Sequence, residues 1–258
     1  MNGFKNQFLL NLASKNTRLD NRGPEDFRKI EIEKGVIENA EGSSRVKVGK
    51  TDIIVGVKLD VGSPFADRPD EGVLMTGAEL SPLAHPEFET GPPRAEAIEL
   101  ARVVDRGIRE SGALDIKKLC IKKGEKVWMV FVDIHIINQD GNMIDTAMLA
   151  AVEALWDARI PKYDPKTELV EYGKRTKDKL PMKHKPVAVT FAKLGESIFV
   201  DPNTDEEAAM DTRLTVTTKD DGNLCALQKG GFGTFSVEEI NKAFEISAKL
   251  GKQIRKKF

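Results

Sequence analysis

The sequence predicts an α/β protein made of two related strands-then-helix units, the first larger than the second. Three observations carry this. Runs of alternating apolar and charged residues give way to a helical pattern twice, once before residue 160 and again after residue 186. A charged stretch bracketed by Pro161, Pro165, Pro181 and Pro186 separates the two. No glycine-rich strand-to-helix fingerprint occurs, which excludes a Rossmann arrangement. The expected division is residues 1–160 for the first unit with its N-terminal helix, 161–186 for a linker, and 187–258 for the second unit.

Each element has its own justification. Residues 5–17 place Phe8, Leu9 and Leu12 on one side, as a helix does. From Phe27 the period shortens to two. Ile30 and Ile32 alternate with charges, and Val46, Val48, Ile53, Val55, Val57, Leu59 and Val61 alternate around a Gly49-Lys50 turn, the pattern of a hairpin with one buried face. Val73 to Leu80 gives another strand. Pro92-Pro93 opens a helix reaching about Glu110, since proline fits a first turn, and Ile98, Ala101, Val104 and Ile108 are its apolar stripe. Lys126 to Asn138 is a long strand apolar on both faces at its centre, hence mid-sheet. Asp140-Gly141-Asn142 then turns the chain into a buried helix from Ile144 to about Ala158. Residues 161–185 have no sustained periodicity. Short strands follow at Val187–Leu194, Ser197–Val200, Leu214–Thr218 and Leu224–Gln228. Ser236 and Glu239 form a capping box for a last helix, its inward stripe Val237, Ile240, Phe244, Leu250 and Ile254.

Composition narrows the function. A net charge of −1 over 258 residues leaves nothing global to draw the chain onto a polyanion, so nucleic-acid contact must come from a local basic patch. Cys120 and Cys225 read as small buried strand residues in a reducing compartment, and the lack of Cys-x-x-Cys or His-x-His pairs argues against zinc. The apolar patch from Phe8 to Leu12 is too short for a signal-peptide core or a membrane span, so a cytoplasmic protein without membrane association is expected. His85, His135 and His184 share no spacing with one another or with a nucleophile, and His135 reads as a satisfied structural histidine.

Two segments hold the chemistry: Asp140-Gly141-Asn142-Met143-Ile144-Asp145, and Val200-Asp-Pro-Asn-Thr-Asp-Glu-Glu-Ala-Ala-Met-Asp-Thr-Arg213. With Gly91-Pro-Pro93 and Ile98-Glu-Leu-Ala-Arg-Val-Val-Asp-Arg106, they make the chain resemble the RNase PH family over about residues 20–250, and within it the non-catalytic ring subunits of archaeal exosomes. The resemblance implies an RNase PH-like fold whose units are ribosomal-protein-like βαβ sandwiches. It implies that active members read Asp-Gly-Gly-Thr-Arg-Thr at the first segment and hold orthophosphate there with helix N-terminal amides and a guanidinium. Here Asn142, Met143 and Ile144 occupy those positions, offering no charge, and Asp145 is expected to repel phosphate. The family's second segment opens on an aspartate with acids six and twelve residues on. Counted without gaps, Asp201 leads to Glu207 and Arg213, so one acid is lengthened and the other becomes a cation. A loop two residues shorter puts Asp205 and Asp211 there instead, and both alignments stand. No catalytic residue, metal ligand or cofactor is assigned.

The same resemblance implies partners: a catalytic RNase PH-like exosome subunit, alternating with this chain as three heterodimers in a hexameric ring, RNA-binding cap subunits on one rim, and single-stranded RNA in the channel. Arg102, Arg106 and Arg109 lie on one helix face, and the first two fall where family members bind RNA phosphates. Arg109 and Arg94 are further candidates. The plainer reading is surface pairing of Glu99 with Arg102 and Asp105 with Arg109, at about 0.3–0.5 kcal/mol a pair. The acids Asp201, Asp205, Glu206, Glu207 and Asp211 read as a solvated turn in preference to a cation site, with Arg213 pairing to Asp211 or Glu207. Gly230-Gly231-Phe-Gly233-Thr234 is either a phosphate loop, as in active relatives, or a helix-entry turn. Lys174-Arg-Thr-Lys-Asp-Lys179, with Lys183 and Lys185, reads as a solvated basic linker in preference to a patch that attracts RNA nonspecifically. The function expected is a non-catalytic binding and scaffolding subunit. The alternative is a weak phosphorolytic or metal-dependent ribonuclease using Asp205, Glu207 and Asp211. A ribosomal-type RNA-binding protein explains one half of the pattern but not its doubling.

Overall fold

Period-two alternation builds a six-stranded sheet from β1 (Ile30–Lys34), β2 (Gly42–Val48), β3 (Thr51–Gly62), β4 (Val73–Leu80), β5 (Cys120–Lys122) and β6 (Lys126–Asn138). The computed structural model describes the backbone of residues 2–258 and all side chains there except those of residues 2–4, 174 and 175. The order is β1-β2-β3-β6-β4, with β5 also on β6. All pairs are antiparallel except β4 with β6. The hairpin between β2 and β3 turns at Gly49, whose φ of 62° favours glycine. Strand β6 sits between β3 and β4 as expected. It alternates buried and more exposed residues rather than being apolar on both faces, since only one face is covered by helices.

Helices α2 (Ala95–Glu110) and α3 (Met143–Asp157) lie on that sheet, α3 over β2 and β3 and α2 over β4. A second sheet closes over α3 from the other side, which is why Met143 to Leu155 is buried all round rather than on one stripe. Its order is β10-β9-β11-β12, from β9 (Val187–Leu194), β10 (Ser197–Val200), β11 (Thr212–Thr218) and β12 (Leu224–Gly231). Helix α5 (Val237–Arg255) covers its far face, entered through the capping box of Ser236 and Glu239. The layers are therefore sheet, helices, sheet, helix, and the buried residues of both halves form one continuous cluster. Gly42 lets β2 approach α3: a Cβ there would lie 2.4 Å from the Ala154 carbonyl oxygen.

Several expectations give way to packing. Helix α1 spans Asn2–Ala13 rather than residues 5–17. It buries Leu9 and Ala13 against Phe199 and Ala209, and leaves Phe8 exposed. Helix α2 begins after the two prolines, and its buried face is Ala97, Leu100, Ala101, Val103, Val104, Gly107 and Ile108, with Ile98 outside. Val237 is likewise exposed. Residues 161–185 are no irregular linker: β7 (Arg159–Asp164) and β8 (Leu169–Lys179) pair as a two-stranded hairpin. Cys120 and Cys225 are half-buried and unpaired. The acidic run is not a turn but a short helix, α4 (Thr204–Ala209), capped by Asn203 and Glu206. Among the described residues no helix is long and apolar enough to cross a membrane.

Beside this shared apolar core, a polar knot ties the two halves together. Asp201, fully buried with φ 51°, accepts from the Arg28 backbone N–H at 2.8 Å, from Arg28 Nε at 2.9 Å and Nη2 at 2.8 Å, and from Arg22 Nη1 at 2.9 Å. Burial alone would raise its pKa, but the Arg28 hydrogen bonds and charge hold the carboxyl below its ordinary value. Arg28 also donates to the carbonyls of Asp140 and Gly141, so one guanidinium clamps the loop before α3 to the loop after β10. Beside it, buried Arg18 grips Glu206 through two hydrogen bonds of 2.6 and 2.7 Å. Replacing Asp201 with alanine is expected to lower stability by about 3–5 kcal/mol, because two guanidinium groups lose a desolvated partner. A urea midpoint within experimental scatter of the parent would contradict the knot's importance.

Candidate phosphate site and arginine-bearing helix

The end of β6 and the start of α3 meet at a pocket of about 160 Å³ whose walls include Glu99, Met143, Ile144, Thr190, Glu207 and Arg213. A helix N-terminus presents unpaired amides and about half a positive charge, which is how such a place holds an anion. Here the loop's own groups fill that role. Asn142, in the left-handed region at φ 52°, donates its backbone N–H to Glu207 Oε1 at 2.8 Å. Its Nδ2 donates to Asp145 Oδ2 and to Asp201 Oδ1, both at 2.8 Å. A carboxyl from α4 therefore stands where an incoming anion would accept. Burial pushes Glu207 up to about 7, the Asn142 hydrogen bond and the nearby Arg213 and Arg28 offsetting only part of that.

The remaining positions close the site further. Met143 and Ile144 line the pocket with apolar surface. Arg213 does not pair with Asp211 or Glu207 as expected. It reaches across to α2, its Nη2 2.6 Å from Glu99 Oε2, while Glu99 also accepts from Gln228 at 3.1 Å. Gly230 makes that path possible, since a Cβ there would meet the Arg213 guanidinium at 2.9 Å. The expectation that Asp145 repels phosphate is corrected by its direction: it is fully buried beneath the pocket, accepting from Thr190 N at 2.8 Å and Thr190 Oγ1 at 2.7 Å. Burial pushes it to about 6 despite those donors.

The two alignments left open by the sequence separate in space. Glu207 and Arg213 face the pocket. Asp205 pairs with Lys5 on the outside of α4, and Asp211 accepts from the Gly195 amide at 2.8 Å. The amides of Phe232 and Gly233 both donate to the Asp211 carbonyl, so the glycine-rich loop packs against the chain as a turn and does not offer those donors to a phosphate. His135 lies on the exposed face of β6, 3.4 Å from Glu79.

The three arginines of α2 and Arg94 at its N-cap part company. Arg109 is held by Asp105 at 3.0 Å and by the Leu74 carbonyl at 3.1 Å, and Arg94 is paired with Glu89. Arg102 and Arg106 are exposed, one turn apart, and without an ion pair among the described residues; Glu99, expected to hold Arg102, is taken by Arg213. Both border an open groove between α2 and β12.

Family descriptions match both halves: the 3′ exoribonuclease family, domain 1, over residues 26–161, and its domain 2 over residues 184–249. The chain belongs to this RNase PH family. It is 49% identical over 257 residues to the exosome complex component Rrp42 of Thermococcus gammatolerans, covering 99% of this chain and 94% of that one. It is 47% identical over 251 residues to the Rrp42 component of Methanosarcina acetivorans, covering 97% and 92%. Its backbone matches a chain from the Archaeoglobus fulgidus exosome with RNA bound to the active site at a TM-score of 0.92 and 45% identity, covering 100% of this chain and 98% of that chain.

Within this family member, sequence reasoning missed Arg18, Arg22 and Arg28, because nothing local signals partners more than 170 residues away. It also missed the Glu99–Arg213 bridge. The raised Glu207 carboxyl has a measurable consequence. An unfolded glutamate loses its proton near 4.5 and the folded one near 7, so between those values the folded state holds more protons and stability falls as pH rises. Glu207→Gln keeps an acceptor for Asn142 but removes the titration. Its melting temperature should decline less than the parent's between pH 5 and 8, leaving it the more stable protein at pH 8. Parallel declines would show that Glu207 titrates normally.

Proposed function

We propose that this chain is the non-catalytic RNase PH-like subunit of an exosome ring that degrades RNA from its 3′ end by phosphorolysis. It alternates with a catalytic RNase PH-like partner as three heterodimers in a hexamer, bears RNA-binding cap subunits on one rim, and works in the cytoplasm. One observation carries the division of labour: at the start of α3, an internal carboxyl from Glu207 answers the Asn142 amide, Met143 and Ile144 wall the pocket, and Arg213 is engaged by Glu99. Orthophosphate has neither a cation nor that amide to bind. The identity to Rrp42 components along nearly the whole chain, and the likeness to an exosome solved with RNA, support the same reading.

The chain's contribution to RNA is electrostatic. Arg102 and Arg106 contact phosphates, being exposed and without an ion pair among the described residues, whereas Arg109 and Arg94 are already paired and contribute less. The chain incubated alone with single-stranded RNA, inorganic phosphate and Mg²⁺ should release no nucleoside diphosphate, and release should begin when the catalytic partner is added. Phosphate-dependent shortening by the lone chain would overturn the proposal. In the assembled ring, Arg102→Ala with Arg106→Ala should weaken RNA binding and flatten the plot of log affinity against log salt by about 1.4, roughly 0.7 for each single-strand phosphate no longer neutralised. Native mass should stay unchanged. Equal affinity and an equal salt slope would mean the two side chains are ordinary surface.

A further inference from the structure

The pocket at the start of α3 is closed to an anion, yet its charges do not balance. Three carboxyls border it, Glu96 and Glu99 from α2 and Glu207 from α4. They face one cation, Arg213, which Glu99 already engages at 2.6 Å. Glu207 spends Oε1 on the Asn142 amide and has no ion pair among the described residues. Burial without a close cation is what raises its carboxyl to about 7. Asn142 supplies a second, separate sign. It is 1% exposed and borders the pocket, and its Nδ2 is spent on Asp145 and Asp201. Its Oδ1, on the other corner of the amide, is buried and has no donor among the described residues. A sealed acceptor left without a donor is costly, and native structures rarely keep one unmet. Leu100, Met143, Ile144 and Met210 give the rest of the wall an apolar surface.

We infer that this pocket binds a primary alkylammonium group, its N–H donors meeting Glu207 and Asn142 Oδ1 and its methylene chain lying on Met143, Ile144 and Met210. The site is built by this chain alone and goes beyond the ring-subunit reading. Each part of such a ligand answers a part of the pocket. An ammonium has three donors and no acceptor, so it serves a carboxylate and an orphan amide oxygen together. An alkyl stem covers apolar walls while its charged end stays with polar groups. The volume of about 160 Å³ is several times what one water fills, which leaves room for a short chain. The partial positive charge of the α3 N-terminus opposes a cation, but the three carboxyls outweigh it. A metal ion suits the pocket less well. Among the described residues no group of three or more acidic, histidine or cysteine side chains is arranged to hold one.

Calorimetric titration of the full chain at pH 8 and constant ionic strength tests this, with n-butylamine, 1,4-diaminobutane and Nα-acetyl-lysine amide as probes. One saturable site per chain is expected, with a melting temperature that rises with amine concentration. Glu207→Gln, which should be the more stable protein at this pH, should bind about tenfold more weakly or worse, since the cation loses its charged acceptor. Glu238→Gln, at an exposed acid outside the pocket, should bind as the parent does. n-Butyltrimethylammonium, with the same charge and no N–H, should fail to compete. Tighter binding of the diamine identifies a free amine as the ligand, and tighter binding of the lysine derivative a lysine side chain; either result supports the site. Absence of both saturable heat and a melting shift overturns the inference, as does affinity that Glu207→Gln leaves unchanged. Displacement of the amine by a lower concentration of Mg²⁺ would make a metal ion the occupant, and the alkylammonium site would be wrong.

Discussion

A carboxylate sealed from water survives only if cations and donors surround it, and Asp201 is placed under that constraint. Its oxygens hold Arg22 and Arg28, 179 and 173 residues away along the chain, and Asn142, 59 residues away. The outcome is geometric as well as energetic. With Arg28 also fixed to the carbonyls of Asp140 and Gly141, the loop that opens α3 can take only one position relative to the loop that opens α4. That position turns the Asn142 amide toward Glu207. The same knot that welds the two halves thus decides what the α3 N-terminus offers to solvent.

What it offers is already answered. A helix N-terminus attracts negative charge whatever its source, and an internal carboxyl has the advantage of proximity over any free ion. Glu207 needs no phosphate to complete the site, and Met143 and Ile144 add no countercharge. The cation that does enter the pocket, Arg213, bridges to Glu99 instead of standing free. That bridge also frees Arg102 from the partner that sequence spacing would give it. Loss of the anion grip and release of Arg102 therefore share one bridge, Arg213 with Glu99, which satisfies the pocket's cation internally.

Much of this architecture is legible in the residues, for a physical reason. Strands with one covered face, such as β2 and β3, announce themselves by alternation, and α5 by its capping box. The hairpin of β7 and β8 hides because both its faces are largely solvated, so charge and proline replace the alternation. Ile98 and Val237 mislead because an apolar residue on a helical stripe says nothing of whether a neighbour lies over it. At the site, the degenerate positions Met143, Ile144, Glu207 and Arg213 were readable as identities. Their partners were not. Glu99 with Arg213, Asp145 with Thr190, and Arg18, Arg22 and Arg28 with Glu206 and Asp201 are all pairs that only the tertiary fold brings together.

The division of chemistry between two chains turns on where orthophosphate comes to rest. Crystals of the mixed ring grown in phosphate should hold the anion at the partner's helix N-terminus and none against Asn142, Met143 and Ile144. An ordered phosphate seated on those three residues, with the Glu207 carboxyl displaced from the Asn142 amide, would contradict the account at its root.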